Sequence, residues 1–202
     1  MAFENIQDFK GLHKNKNCFI ISSGTSIKDL DLSALTRRIT IGLNRSFMAF
    51  PETQYSCVMD HRLFDLYPEE IKQSRYLFTL EDRPWGIPLK LIGANGFSED
   101  LEQGIYSGYT ISYFALQVAI YMGFERIFFL GLDLKNTEKD THFFGHDHRS
   151  ANHENTEFPK MRKAFEDIAP LLKARGQQVY NCSPISSLKC FPFLSYEDAL
   201  KY

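Results

Sequence analysis

Four of the six histidines of this 202-residue chain fall within one short stretch, at His142, His146, His148 and His153. The first three lie in Thr141-His142-Phe-Phe-Gly-His146-Asp-His148-Arg149. Imidazole gains and loses its proton near neutrality, so such a cluster suits general acid–base work, with His146 and His142 as the candidate catalytic residues. Zinc ligation by His and Asp at mixed spacing is a competing reading, and a solvated loop is another. Gly145 interrupts any helical presentation of His142 and His146, so the run is not a His-Glu-x-x-His site.

Other candidates are polar residues that close apolar runs. Ser22-Ser-Gly-Thr-Ser26 follows Cys18-Phe-Ile-Ile. Its backbone N–H groups and hydroxyls, with a helical turn behind them, suit a phosphate. The same residues serve as an ordinary strand–helix turn with Ser26 or Thr25 as N-cap. The segment is neither Gly-x-Gly-x-x-Gly nor a Walker A loop. Asn44 ends Ile39-Thr-Ile-Gly-Leu43 and offers a donor and an acceptor to a base or ribose. Asp60 ends Tyr55-Ser-Cys-Val-Met59 and suits a ribose hydroxyl or a divalent cation. Strand-end capping would account for either residue. Asp133, after Arg126-Ile-Phe-Phe-Leu130, suits Mg²⁺ or a neighbouring backbone amide.

Strands are expected at 18–22, 39–43, 55–59, 75–79, 126–130 and 178–181. Helices are expected at 112–122, closed by Gly123, and at 158–175, stopped by Gly176. Residues 28–35 have helical spacing, and the tail from Leu194 to Tyr202 suits a short helix. Residues 82–108 read as an irregular excursion and 135–157 as a histidine-rich loop. The alternation implies an α/β protein: a Rossmann-like three-layer sandwich with a mostly parallel sheet, helices on both faces, and a single domain over 1–202. Ligands of such sheets bind beyond the carboxyl ends of the strands, where the residues above lie.

Composition removes several classes. Formal net charge is −2, so nucleic-acid binding has no bulk electrostatic support. Aromatic content of 14% argues against disorder. No apolar run approaches the roughly 20 residues of a transmembrane helix. Met1-Ala-Phe-Glu-Asn is not a secretory leader. Cys18, Cys57, Cys182 and Cys190 form no Cys-x-x-Cys pair, and a cytoplasmic setting is expected.

Several segments resemble known sequences. Ser22-Ser-Gly-Thr-Ser-Ile-Lys-Asp-Leu-Asp31 resembles the Gly-x-Gly-Pro-Ser-Leu motif that opens two related groups. One is the small bacterial sialyltransferases that use CMP-sialic acid. The other is the MptE-like group, named after an archaeal 6-hydroxymethylpterin diphosphokinase. Residues 108–133 are similar to both groups, and residues 179–192 resemble MptE-like proteins. His142-Phe-Phe-Gly-His146 resembles the sialyltransferase His-Tyr-x-Gly-His segment, whose second histidine is the proposed base.

The resemblance implies that Ser22, Ser23, Gly24 and Ser26 face the nucleotide phosphate and ribose. It places Asn44, Asp60 and Thr110 on the nucleotide and His146 as general base; Asp133 is counted among the nucleotide-binding candidates from its strand-end position. Ser23 stands for an asparagine, Thr25 for a proline, Phe143 for a tyrosine and Gly108 for an arginine. These departures weaken CMP-sialic acid in particular as donor. The implied function is a nucleotide-sugar-dependent glycosyltransferase of surface polysaccharide assembly. Its partners would be a nucleotide-activated sugar and a glycan acceptor, with no cofactor required and a homo-oligomer allowed. A pyrophosphokinase acting on a pterin-like alcohol, with Mg²⁺ held by Asp60 and Asp133, is the second reading. A non-catalytic nucleotide-binding protein is the third.

Overall fold

The computed structural model describes residues 3–136, 140–145 and 151–202, with side chains from residue 155 in the last stretch. The strands are β1 (Asn17–Ile21), β2 (Thr40–Leu43), β3 (Tyr55–Val58), β4 (Tyr76–Leu80), β5 (Ile87–Leu89), β6 (Leu91–Gly93), β7 (Ile105–Tyr106), β8 (Arg126–Leu130) and β9 (Gln178–Asn181). The α-helices are α1 (Arg62–Leu66), α2 (Pro68–Lys72), α3 (Ile111–Tyr121), α4 (Ala151–Ala174) and α5 (Tyr196–Ala199). Seven strands form one sheet in the order β5-β4-β3-β2-β1-β8-β9. Every pairing in it is parallel.

The strands are short apolar runs because both faces of the sheet are covered. Alternation along β1 sends Cys18 and Ile20 to one core and Phe19 and Ile21 to the other. In β8, Ile127 and Phe129 join the first core, and Phe128 and Leu130 the second. The first core is closed by α3 and α4. Phe165 of α4 meets both Tyr113 of α3, at 5.3 Å between ring centroids, and Phe129 of β8, at 6.2 Å. The second core is closed by two 3₁₀ turns, Thr25–Asp29 and Leu32–Leu35, together with α5. Burying each such Ile, Leu or Phe contributes roughly 1.5–3 kcal/mol.

α3 is buried on nearly every side, since the 94–108 segment covers its outer surface. Buried Gln117 holds that segment: its Nε2 donates to Tyr106 O at 2.7 Å, and its Oε1 accepts from the amides of Ser98 and Tyr106. Tyr113 Oη adds a bond to Gly96 O at 2.7 Å.

Three sequence expectations need correction. Residues 82–108 are not wholly irregular: β5 pairs with β4, and β6 with β7. Pro88 obscures β5, and its missing donor is tolerated because β5 is an edge strand. The histidine-rich loop does not reach 157, because α4 begins at Ala151 and runs through Pro159 and Pro170. The expected helix start at 158 is therefore too late. Finally, the cap of the 3₁₀ turn after β1 is neither Thr25 nor Ser26; Gly24 is the N-cap, without a side-chain bond.

Cys18, Cys57 and Cys182 are buried free thiols, and burial pushes the Cys182 thiol up to about 12. They pack as small hydrophobes. Among the described residues, no helix is long and apolar enough to cross a membrane.

At the amino ends of the strands, the His13 ring stacks on Phe124 at 4.6 Å and its Nε2 lies 2.7 Å from Tyr55 Oη. Burial, with a smaller contribution from Lys16, lowers the His13 pKa. The unfolded chain therefore takes up this proton first, near pH 6.5, and folding stability falls as pH drops from there through the lower folded-state value. His13→Phe is expected to flatten this part of a melting-temperature-against-pH curve. An unchanged slope between pH 7 and 5 would refute the assignment.

Candidate functional site

β1 is the strand where the order reverses: β2 to β5 continue on one side, β8 and β9 on the other. In open parallel sheets the crevice at such a switch point is the ligand site. Here the loops after β1 and β8 are zipped together. Ser22 N donates to Leu130 O at 2.8 Å, and Gly24 N to Gly131 O at 2.9 Å. Ser22 is buried, and its Oγ lies 3.2 Å from Ser112 Oγ in the first turn of α3. Thr110 caps that helix by accepting from Ser112 N. Ser22, Ser112 and Thr110 are thus one linked group.

Asp133 accounts for the shape of the turn. It is 3% exposed, and its carboxylate accepts four bonds. Ser26 N donates to Oδ2 at 3.0 Å, Ser26 Oγ and Ser183 Oγ each to Oδ1 at 2.6 Å, and Thr25 Oγ1 to Oδ2 at 3.4 Å. Of its two candidate roles, this bonding matches orientation of a backbone amide, because the oxygens are filled by protein donors. With Gly24 N and Ser26 N engaged, the turn has two amides that donate to no group among the described residues, those of Ser23 and Thr25. They are the donors available to an anion.

Gly24 is required sterically. A Cβ there would lie 2.4 Å from Gly131 O and 2.5 Å from Asp133 Cγ, although its φ of −65° suits any residue. Gly24→Ala is expected to lower stability by about 1–3 kcal/mol through overpacking against backbone that cannot retreat. A melting temperature equal to the parent's would contradict this. Gly108 is constrained similarly, with φ +52° and a virtual Cβ 2.2 Å from the Tyr113 ring, so no arginine fits there.

Asn44 leaves β2 in the left-handed region, at φ +47°, with its amide donating to Cys57 O. Its side-chain Oδ1 is buried with no hydrogen-bond partner among the described residues. Buried polar atoms are rarely left so, and an unmade bond of this kind costs about 1–3 kcal/mol. Asp60, at the end of β3, is gripped by Arg62 through a two-pronged ion pair and also accepts from Arg62 N at 3.1 Å. Among the described residues, no three His, Cys, Asp or Glu side chains stand close enough to hold a metal ion.

His146 lies outside the described residues, as does His148. The segment just before them is anchored over the site. Phe143 N donates to Ser23 O at 3.0 Å, the Arg45 guanidinium stands 4.3 Å from the Phe144 ring centroid, and Lys28 pairs with Asp140 at 2.5 Å. Residues 140–145 therefore cross the carboxyl ends of β1 and β2. Within them, Thr141 Oγ1 lies 3.0 Å from His142 Nδ1 and 3.3 Å from Gly145 O. The contact with Thr141 orients the His142 ring. Sequence reasoning did not single out Ser112, Thr141 or Ser183. Each acts through one hydroxyl bond across a long sequence interval or onto a neighbouring ring.

Solved structures share this arrangement of strands and helices. The sialyltransferase CstII from Campylobacter jejuni, in complex with the substrate analogue cytidine-5'-monophosphate, is 17% identical, with a TM-score of 0.50 over 90% of this chain and 86% of that one. The fold is sialyltransferase-like. CstII in complex with CMP-3FNeuAc is also similar, at 15% identity and a TM-score of 0.49 over 89% and 86% of the two chains. No family model matches the sequence, and no curated protein matches it.

Proposed function

We propose that the chain is a nucleotide-sugar-dependent glycosyltransferase, with its nucleotide beyond the ends of β1 and β2, acting in surface polysaccharide biosynthesis. The observation that carries this is the crossing of the 140–145 segment over the Ser22–Ser26 turn and the exit of β2. It brings a histidine-bearing segment to a turn with two amides, and to an asparagine carbonyl, that have no partner among the described residues. Those are the parts that transfer from an activated phosphate ester requires.

In the proposed reaction the acceptor oxygen bonds to the anomeric carbon as the bond to the phosphate oxygen breaks. His146 takes the acceptor's hydroxyl proton, and the electron pair leaves with the nucleotide phosphate. The amides of Ser23 and Thr25 stabilise that leaving charge, and Asn44 holds the base or ribose. Asp60 pairs with Arg62 and Asp133 holds the turn, so the pyrophosphokinase reading would need both carboxylates drawn away from these partners to hold Mg²⁺.

A thermal-shift panel of CMP, UDP, GDP, ADP, ATP and pterin, each with and without Mg²⁺, tests the reading. A nucleoside mono- or diphosphate at 100 times its Kd should stabilise the fold by about 2.7 kcal/mol. A shift from ATP alone, strictly with Mg²⁺, would replace the transferase by the kinase reading. No shift with any of the six would overturn both.

A further inference from the structure

An open groove of about 460 Å³ lies on the face of the sheet covered by the 3₁₀ turns, beside the Ser22–Ser26 turn rather than in it. Its volume falls in the roughly 300–1,000 Å³ range of small-ligand sites. Apolar walls come from Ile27, Leu30, Ala49, Phe50 and Phe143. Phe143 joins the groove to the candidate site, since its amide is bonded to Ser23 O and its neighbour is His142.

The polar groups of the groove have one character. Ser33 Oγ spends its proton on Asp31 Oδ1 at 2.6 Å, and Thr36 Oγ1 spends its proton on Ser33 O at 2.8 Å. Both hydroxyls therefore face the groove as acceptors. Asp31 is a carboxylate held below the usual range by its bonds from Ser33. Glu52, exposed on the rim, makes no hydrogen bond among the described residues. Lys28 is the one cation of the lining, and Asp140 neutralises it. The groove thus presents lone pairs above apolar walls. A phosphate would meet two carboxylates there. A ligand rich in O–H donors, with flat apolar faces between them, satisfies both features.

We infer that this groove is the acceptor subsite, and that it takes a neutral saccharide. The inference rests on the transferase reading for the word acceptor, but the groove's ligand class can be tested without any nucleotide. Saturation-transfer NMR on the full chain with a panel of neutral mono- and disaccharides (glucosides, galactosides and N-acetylhexosamines) should detect binding. Glu52→Lys and Ala49→Trp should each weaken it at least tenfold, while the nucleotide thermal shift stays at the parent value and reports that the variants are folded. In turnover assays the same variants should raise the acceptor KM with donor hydrolysis unchanged. No saccharide bound by the parent, or saccharide binding indifferent to both substitutions, would overturn the assignment even if nucleotide binds. Binding of spermidine in place of every saccharide would overturn it too. Loss of the nucleotide shift in the parent would instead fail the transferase reading and leave saccharide binding to be scored by itself.

Discussion

His146→Ala is expected to remove turnover by a factor of about 10²–10⁴ while leaving nucleotide binding within a few-fold of the parent. That range is what a correctly positioned general base contributes. The split matters more than the size. The groups proposed to hold the nucleotide, the Ser23 and Thr25 amides and Asn44, belong to the exits of β1 and β2, and their geometry depends on Asp133 and Cys57 O rather than on residue 146. A base removed from the acceptor side should therefore depress kcat without raising the donor KM. The rising limb of the parent's pH–rate profile, in the imidazole range, should vanish in the variant. His142→Ala is the control from the same segment. Its ring is oriented by Thr141 and stacked on Phe144 at 4.9 Å, so its loss disturbs the strap that Phe143 pins to Ser23. If His146→Ala retained turnover within threefold while His142→Ala lost it, the base would be His142. If both retained turnover, imidazole catalysis would be out.

Much of the architecture could be read from the residues, and the reason is periodicity. Arg126–Leu130 and Gln178–Asn181 match their strands to the residue, because apolar runs covered on both faces stand out from polar ends. α3 was legible for the same reason. What escaped the sequence was whatever depends on partners far away in the chain. Asp133 reads equally as metal ligand or amide anchor until Ser26 and Ser183 are seen to converge on it. β5 was hidden by Pro88 and its length of three residues. The saccharide groove was invisible, since it arises where the 27–36 and 49–52 segments pass each other on the sheet. The resemblance pointed to particular strand ends, yet tertiary bonds decide what each polar residue there touches.

The largest effect on stability is expected from Asp133→Ala. The carboxylate is 3% exposed and joins three separate stretches of chain: the turn after β1, the exit of β8, and the loop after β9 through Ser183. Hydrogen bonds to a charged group contribute about 1.5–3 kcal/mol each, but bonds that share one acceptor are not additive. Truncation would leave the buried Ser183 hydroxyl and the Ser26 amide without their acceptor, so a loss of about 3–5 kcal/mol is expected. For a domain of this size each 1 kcal/mol shifts the melting temperature by about 2–4 °C, so a drop of roughly 6–20 °C should appear. Asp133→Asn keeps the volume but turns an NH₂ toward donors on one side, and should fall between alanine and parent. Ser183→Ala removes a single bond and should cost only about 1 kcal/mol. A double variant of Asp133→Ala with Ser183→Ala should then cost less than the sum, since the second change removes a group already stranded. The distinguishing readout is magnesium. A strut loses stability equally in its presence and absence, whereas a metal ligand would make the parent's melting temperature, and not the variant's, depend on Mg²⁺. Such a dependence, with a drop below 2 °C in metal-free buffer, would return Asp133 to the role of ligand.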